Sequence, residues 1–469
     1  MNFSGVIRSI LLWVFQKRWF LISLVIACVA LLFDSPESLS ANGYRVLLIA
    51  FIVIVSIVTE AITLPALALF IIFSMVVLGI GSSEEIAHAY MNDAVFFIMG
   101  SLMIAVALTS QGFDSRLALA ILWLTGGKTR TISLGFVTVS ALLSAFLGEH
   151  TVAALMLPTC LILIRNLTDD PAENSKLTAL LLFSIAYGST IGSVGTPSGG
   201  ARNPIMINYW IEFGLDRVGY LEWMKWAFPV VLIQIPLLAW ILNRVFTPEL
   251  KQLDSSIRKL KIQVRRRGDI SGKETLTLLV LGIVFLGWIL FSEEFGLGMI
   301  AIFGAFLYVI FGVVEWEEIS RKLNWGVILM FGSAILLGIQ MKEAGTGEWI
   351  ANQILGVTGN FMEQFQLARY GMVIVMTTVF ANMMSASATV AVVAPVTLNF
   401  GADQLVIGFL TAISSSFAFF TAVAAPACMI VYSSGYLRAK DFIKAGVFVG
   451  VMSFVVLLFV AMIYWPMIA

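Results

Sequence analysis

The sequence is poor in charged residues, histidine and cysteine, and each shortage excludes a class of protein. Only 12% of the 469 residues are charged, and 28 basic residues cancel 28 acidic ones. The chain therefore lacks both the polar surface of a soluble domain and the positive charge that attracts nucleic acid. The three cysteines, Cys28, Cys160 and Cys428, stand in apolar contexts, which makes a disulfide framework unfavourable.

Catalytic constellations are missing as well. A zinc hydrolase needs about three protein ligands, typically with an HExxH pair, whereas this chain has two histidines, His88 and His150. No Gly-x-Ser-x-Gly motif and no Ser/His/Asp arrangement is present. We therefore expect no catalytic residues and no resident metal, and a membrane-embedded enzyme is the less favoured class.

Apolar residues are abundant. They make up 59% of the chain, and the mean hydropathy is +0.96. Continuously apolar segments such as FLISLVIACVALLF favour transmembrane helices, which need about 20 residues each, over the alternating strands of a membrane barrel. The sequence predicts an all-α polytopic membrane protein, with uninterrupted spans near 19–33, 44–58, 61–80, 94–124, 222–245, 274–291, 296–314, 325–340 and 441–466.

Two apolar regions are interrupted by clusters of Gly, Ser, Thr and Pro. Irregular backbone at membrane depth persists only where protein or a watery cavity encloses it, so each interruption indicates a site. We predict re-entrant hairpins at 132–165 and 369–399, each followed by a broken span, at 176–210 and 405–436. The two broken spans and the nine uninterrupted spans together give eleven transmembrane helices, and the re-entrant hairpins are not counted among them.

The basic segment 246–273 sets the orientation. It carries eight Lys and Arg residues, which the positive-inside rule places in the cytoplasm. With this count the N-terminus lies inside and the C-terminus outside the cytoplasmic, or inner, membrane.

The two interrupted regions also resemble each other. HTVAALMLP at 150–158 is similar to ATVAVVAPV at 388–396, and the following breaks lie near Thr196 and Ala425. Two such units in opposite orientations are typical of secondary transporters with inverted repeats. Chance similarity stays open as an alternative, because Ala and Val dominate both strings.

At these residues the chain resembles the divalent anion/sodium symporter family, the carriers of dicarboxylates, citrate and sulfate. The similar segments are LSAFLGEHTVAALMLP, IGSVGTPSGGARNP, ANMMSASATVAVVAP and SSFAFFTAVAAPACMIV. The resemblance implies an elevator-type carrier, usually a homodimer, with a small anionic substrate held between the two hairpin tips. It also implies sodium ions bound by tip residues and loop carbonyls, and no other cofactor.

The motif residues depart from the family pattern of Ser-Asn-Thr at each tip. Gly148, Glu149 and His150 take those places at the first tip, and Ser385, Ala386 and Ser387 at the second. In the loops, Arg202 replaces a Pro, while Ala425 and Cys428 stand where Thr and Asn are usual. Carried over residue by residue, the candidate substrate and ion site comprises Gly148, Glu149, His150, Thr151, Gly195, Thr196, Gly199, Arg202, Asn203, Ser385, Ala386, Ser387, Thr389, Ala425 and Pro426, with possible sodium near Gly148, Gly199 and Ser385.

Glu149, His150 and Arg202 are the unusual members of this set. An acid within the membrane is costly, so it usually faces a cavity or a partner. We predict that these three residues replace bound sodium with protein-borne charge and a titratable proton. Proton coupling or anion exchange, with a di- or tricarboxylate-like substrate, is then favoured over the alternative of sodium symport. A purely structural Glu149–Arg202 pair and an anion channel also stay open.

The predicted domain organisation follows from the repeat. Helices in 1–93 form a scaffold and dimer interface, and 94–221 is the first repeat core. Residues 222–273 add a scaffold helix and the basic linker, 274–324 add further scaffold helices, and 325–469 form the second core. The expected partners are the small anion, the lipid bilayer and a second copy of the chain.

Overall fold

The computed structural model describes residues 14–111, 129–165, 175–248, 271–358, 365–401, 403–422 and 424–468. Within these ranges it is all helical and contains no strand, which confirms the predicted fold class. Six of the described helices are long and apolar enough to cross a membrane. Most of the basic segment 246–273 and the end of the predicted span 94–124 lie outside the described residues.

The first half of the chain contains ten described helices. They are α1 (Arg18–Ala30), α2 (Ala41–Val58), α3 (Leu64–Val77), α4 (Ser83–Tyr90), α5 (Asp93–Ser110), α6 (Thr129–Leu147), α7 (Glu149–Arg165), α8 (Ser175–Gly192), α9 (Arg202–Glu212) and α10 (Tyr220–Val245). A short 3₁₀ turn, Pro197–Gly199, lies between α8 and α9.

The second half begins with α11 (Gly272–Ile310), which changes direction at Gly296, where φ is +80°. The Tyr308 hydroxyl donates to the Thr277 carbonyl at 3.0 Å and ties the two arms of α11 together. The predicted spans 274–291 and 296–314 correspond to these arms. The remaining helices are α12 (Trp316–Lys322), α13 (Trp325–Glu343), α14 (Thr346–Thr358), α15 (Gln366–Met383), α16 (Ala386–Thr397), α17 (Gln404–Ser414), α18 (Pro426–Tyr432) and α19 (Ala439–Phe459), which continues to Ile468 through a π-helical turn.

The two halves repeat one order of elements. Each has a membrane helix, two helices that meet at a tip, a broken helix and a long helix. The first helix of each unit, α5 or α13, starts with an asparagine cap, since Asn92 accepts from Val95 N–H and Asn324 from Val327 N–H. A Gly-Ser pair follows eight residues later in both, at 100–101 and 332–333. This order is that of an internal repeat, and the opposite membrane orientation of its halves stays a prediction.

Helix α8 forms the centre of the first unit. Every side chain from Leu177 to Gly192 is buried, although the helix carries several hydroxyls. Ser144 of α6 donates to the Ser189 carbonyl at 2.7 Å, and Ser133 and Ser184 bond each other at 3.0 Å. Small side chains let membrane helices approach closely. The tip after α6 is therefore held beside the break after α8.

Helix α13 is joined to the N-terminal helices. Ser333 donates to the Ala68 carbonyl of α3 at 3.0 Å, and the Tyr90 hydroxyl of α4 donates to the Leu329 carbonyl at 3.2 Å. On its other side α13 packs against α16. It therefore forms a wall between the N-terminal helices and the second tip.

Large apolar side chains cover the outward faces of the long helices. On α11 they include Leu279, Leu286, Leu290, Phe295 and Phe306, each more than half exposed. Exposed apolar surface on this scale marks a contact with lipid or another protein. Together with the length of the helices it fits a multi-pass membrane protein.

Candidate substrate site between two helix tips

A cavity of about 740 Å³ lies where the two tips, both helix breaks, α5 and α13 meet. Ten of the fifteen predicted site residues line it, contributed by two regions of the chain, 148–202 and 385–426, that are far apart in sequence. They are Gly148, Glu149, His150, Thr151, Gly199, Arg202, Ser385, Ala386, Ser387 and Pro426. The structure thus brings the two tips together around one cavity.

The other five predicted residues, Gly195, Thr196, Asn203, Thr389 and Ala425, are buried behind the cavity wall. Their described contacts support the wall. The Asn203 amide donates to the Ser193 and Thr196 carbonyls at 2.9 and 2.7 Å. The Thr389 hydroxyl donates to the Ser385 carbonyl at 3.1 Å.

Gly148 makes the first tip. Its φ of +82° lies in the left-handed region, which residues with a Cβ rarely adopt, and it lets α7 begin immediately after α6 ends. The facing loop contributes Gly199, where a Cβ would lie 2.8 Å from the Ala145 carbonyl oxygen. Thr196 donates a hydrogen bond to that same carbonyl. The loop therefore lies directly against the end of α6.

Glu149 and Arg202 pair across the junction between the first tip and the loop. Their carboxylate and guanidinium groups are 3.6 Å apart, and the residues are only 5% and 1% exposed. Arg202 also donates to the Ser193 hydroxyl. The second carboxylate oxygen, Glu149 Oε2, is buried and has no hydrogen-bond partner among the described residues. His150, by contrast, is exposed and faces the cavity.

The second tip is capped by a side chain. Ser385 is exposed at the cavity, and its hydroxyl accepts from Ala388 N–H at 3.4 Å. Asn382, which the sequence reasoning did not assign to the site, also lines the cavity. Its amide donates to the Phe417 carbonyl and its oxygen accepts from Phe420 N–H, both at 2.9 Å. Asn382 therefore fixes the break before α18 to the second tip.

Three hydroxyl groups form a closed triangle behind the first loop. Tyr220 and Ser198 are 2.8 Å apart, Thr196 and Ser198 are 3.1 Å apart, and Tyr220 donates to Thr196 at 3.0 Å. Only Ser198 reaches the cavity wall. Sequence reasoning missed Ser198 and Tyr220. Ser198 belongs to the segment IGSVGTPSGGARNP, but its contact with Tyr220 could be found only from the position of α10 in the structure.

The charges around the cavity cancel. Among the described lining residues the charged side chains are Lys17 and Arg202, which are cationic, and Glu60 and Glu149, which are anionic. Neither Lys17 nor Glu60 belongs to the predicted site residues. The first turns of α7 and α16 also meet the cavity, and the N–H groups of a first helical turn lack intrahelical acceptors. These N–H groups carry partial positive charge, so they can stabilise a bound anion without a cationic side chain.

Comparison with known proteins identifies the family of this chain. The family model for the sodium:sulfate symporter transmembrane region matches residues 16–469. The chain belongs to the sodium:sulfate symporter family. This confirms the resemblance found in the sequence, and it identifies a transporter, not an enzyme.

Named relatives of this sodium:sulfate symporter family member include the sodium-dependent dicarboxylate transporter SdcS of Staphylococcus aureus. The strain USA300 protein is 26% identical over 471 residues, which cover 94% of this chain and 89% of the relative. The protein of the bovine strain RF122 / ET3-1 is 25% identical over the same shares.

Two solved transporters share the fold of this sodium:sulfate symporter family member. The YdaH transporter of Alcanivorax borkumensis matches with a TM-score of 0.54 and 12% identity, over 97% of this chain and 98% of that one. MtrF of Neisseria gonorrhoeae, described as illuminating a class of antimetabolite efflux pumps, matches with a TM-score of 0.58 and 13% identity, over 95% and 94%. At these identities the likeness concerns the fold alone.

Proposed function

We propose that the protein is a sodium-coupled carrier of small dicarboxylate-like dianions, bound in the cavity between the two tips. The observation that carries the proposal is the neutrality of this cavity, in which two cationic and two anionic side chains cancel. A dianion entering such a site needs positive charge from a further source.

The shape and polarity of the cavity suit a small anion. Its volume of about 740 Å³ falls within the usual range of ligand sites. The first turns of α7 and α16 border it, as helix N-termini do in other anion sites. His150, Ser385 and Ser387 line it as polar side chains able to donate hydrogen bonds to carboxylate oxygens.

Sodium is the best-supported source of the missing charge. Arg202 cannot supply it alone, because Glu149 already neutralises it across 3.6 Å. Within the part of the chain that the structure describes, two buried acceptors near this junction, Glu149 Oε2 and Asn203 Oδ1, have no hydrogen-bond partner. Carboxylate and carbonyl oxygens are the ligands that hard cations prefer. The relatives named above are sodium-dependent dicarboxylate transporters.

The sequence reasoning favoured proton coupling or exchange, with sodium symport as the alternative. The sodium-dependent relatives support the alternative better. Geometry gives a physical reason. Protonating Glu149 would leave the guanidinium of Arg202 buried without its counter-charge, and breaking a buried pair costs about 3 to 5 kcal/mol.

Transport then requires the tips to reach both sides of the membrane in turn. We propose an elevator motion in which the unit from α6 to α10 and the unit from α15 to α19 move together. The sequence predicts α10 as a scaffold helix, but we place it in the moving unit because it packs against α6, α8 and α19. The first helix of each predicted core, α5 or α13, stays behind, because α5 packs against α11 and α13 is bonded to α3 and α4. A homodimer, an N-terminus inside and a C-terminus outside the inner membrane belong to the same proposal.

A thermal-stability screen of the purified protein tests the substrate class. Succinate, a monocarboxylate, citrate, sulfate and phosphate are each added with sodium or with potassium. A ligand that binds only the folded state raises its apparent stability. We expect the largest rise for succinate, and only with sodium. Equal rises in sodium and potassium would contradict sodium coupling, and a rise with sulfate alone would contradict the dicarboxylate assignment.

A further inference from the structure

Ser198 and Tyr220 connect the cavity wall to a helix outside it. Ser198 lies in the 3₁₀ turn between α8 and α9 and lines the cavity. Tyr220 is the first residue of α10 and does not line the cavity. Their hydroxyl oxygens are nevertheless 2.8 Å apart, and Thr196 completes the triangle described above.

Each hydroxyl has one proton, and none of the three is left for the cavity. The Thr196 proton goes to the Ala145 carbonyl, which can only accept. The protons of Tyr220 and Ser198 then serve the three contacts of the triangle, and either residue can donate across the 2.8 Å contact between them. If Ser198 donated to the cavity instead, two of these close oxygen pairs would have no proton between them. Ser198 therefore presents a lone pair, and no proton, to the cavity.

Contacts with α11 fix the position of Tyr220 in this structure. Its ring stacks on Trp288 of α11 with centroids 5.4 Å apart and planes 8° apart. Its backbone N–H donates to the Ser292 hydroxyl at 3.3 Å, and the Trp288 indole N–H donates to the Leu297 carbonyl at 3.1 Å. Tyr220 and Trp288 are almost completely buried. In the conformation of this structure, these contacts with α11, which stays behind in the proposed elevator motion, hold the Tyr220 hydroxyl beside Ser198.

A Ser198 hydroxyl that can only accept hydrogen bonds distinguishes the coupling sodium ion from the carboxylate substrate of the proposed carrier. A carboxylate offers only acceptor oxygens, so it gains nothing from a lone pair. A sodium ion binds one directly. Glu149 Oε2, which has no hydrogen-bond partner among the described residues, lies at the same junction of tip and loop, so this junction holds a second acceptor oxygen beside the Arg202 guanidinium.

We propose that Tyr220 is a positioning residue for the coupling cation: it fixes Ser198 as a hydrogen-bond acceptor on the sodium side of the cavity. The inference rests on the proposed function, since it assigns a residue to the cation that the transporter would use. Tyr220 acts through Ser198 and touches neither ion.

The test measures succinate uptake into proteoliposomes against sodium concentration for the wild type, Tyr220→Phe, Ser198→Ala and the double variant. Phenylalanine keeps the stacked ring and removes only the hydroxyl. We expect Tyr220→Phe to raise the half-saturating sodium concentration about five- to tenfold, with the maximal rate within twofold of wild type. The double variant should be no worse than Ser198→Ala, because residues that act as a unit are not additive.

Tyr308→Phe is the matched control. It removes another buried tyrosine hydroxyl bonded to a carbonyl, on α11 and away from the cavity. It should lower the melting temperature as Tyr220→Phe does but leave the sodium dependence unchanged. If Tyr220→Phe does not fold, Ser198→Ala alone must show the same rise.

The outcomes separate two failures. A sodium-dependent wild type with an unchanged half-saturating concentration in Tyr220→Phe or Ser198→Ala, or with additive effects in the double variant, overturns this inference and leaves the proposed function standing. A wild type whose succinate uptake ignores sodium overturns the proposed function and this inference together.

Discussion

Replacing Glu149 by glutamine removes the charge that faces the buried Arg202. The two groups are 3.6 Å apart and only 5% and 1% exposed, so the pair belongs to the buried class. Removing one partner of a buried pair costs about 3 to 5 kcal/mol. Because Glu149 borders the cavity, where water screens charge, we expect the lower end of that range. A loss of about 3 kcal/mol lowers the folded-to-unfolded ratio more than a hundredfold.

Equilibrium unfolding in mixed detergent micelles measures this loss. The second variant, Glu149→Gln combined with Arg202→Met, removes both charges and should recover most of the stability, because the uncompensated cation is gone. The control is Glu318→Gln at the surface pair with Lys322, where the side chains are 33% and 50% exposed. Pairs of that kind contribute about 0.2 to 1 kcal/mol.

One result would refute the reasoning. If the free energy of unfolding of Glu149→Gln lies within about 1 kcal/mol of the wild-type value, as expected for Glu318→Gln, the buried pair does not hold the tip to the loop. A loss of pH dependence in transport by that same stable variant would restore the proton-carrying role that the sequence suggested.

Three further predictions concern the tips and their support. Gly148→Ala should destabilise the protein by about 1 to 2 kcal/mol and slow uptake, because Gly148 has a φ of +82° that residues with a Cβ rarely adopt. The control Gly282→Ala, on an exposed helix face with open space, should be neutral or slightly stabilising in the same thermal melt. Asn382→Asp keeps the acceptor but loses the donor to the Phe417 carbonyl, so we expect about 1 to 3 kcal/mol less stability and a higher succinate KM in uptake assays. The Tyr209 hydroxyl contacts one carbonyl of α13 and one of α16 with a single proton, so Tyr209→Phe should weaken this link between proposed fixed and moving parts and change the maximal rate more than the KM.

Much of the architecture was predictable because membrane helices leave a strong signal. Apolar length gave the spans, and the break between 274–291 and 296–314 coincides with the turn at Gly296. The clusters around Gly148 and Thr196 marked irregular backbone, since such residues rarely interrupt a membrane helix without a cavity to enclose them. The structure accordingly places both tips around one cavity.

The site was less predictable in its polar detail. The family motif located Ser385 and Gly199, but no spacing rule connects Tyr220 to Ser198 across 22 residues and a loop. The charge balance of the cavity could not be predicted from the sequence either. Lys17 directly precedes α1 and Glu60 lies in the turn after α2, both far from the motifs in sequence. Only the packed structure shows that they share a cavity with Arg202. Without that balance, the sequence left open whether Arg202 serves the substrate or pairs with Glu149.

Uptake of radiolabelled succinate into proteoliposomes under an imposed sodium gradient tests the central claim most directly. The pH is equal on both sides, and choline replaces sodium in the parallel sample. The account predicts accumulation above equilibrium with an inward sodium gradient, and only slow equilibration with choline. Equal accumulation in both, or accumulation that follows a pH gradient in the absence of sodium, would contradict it.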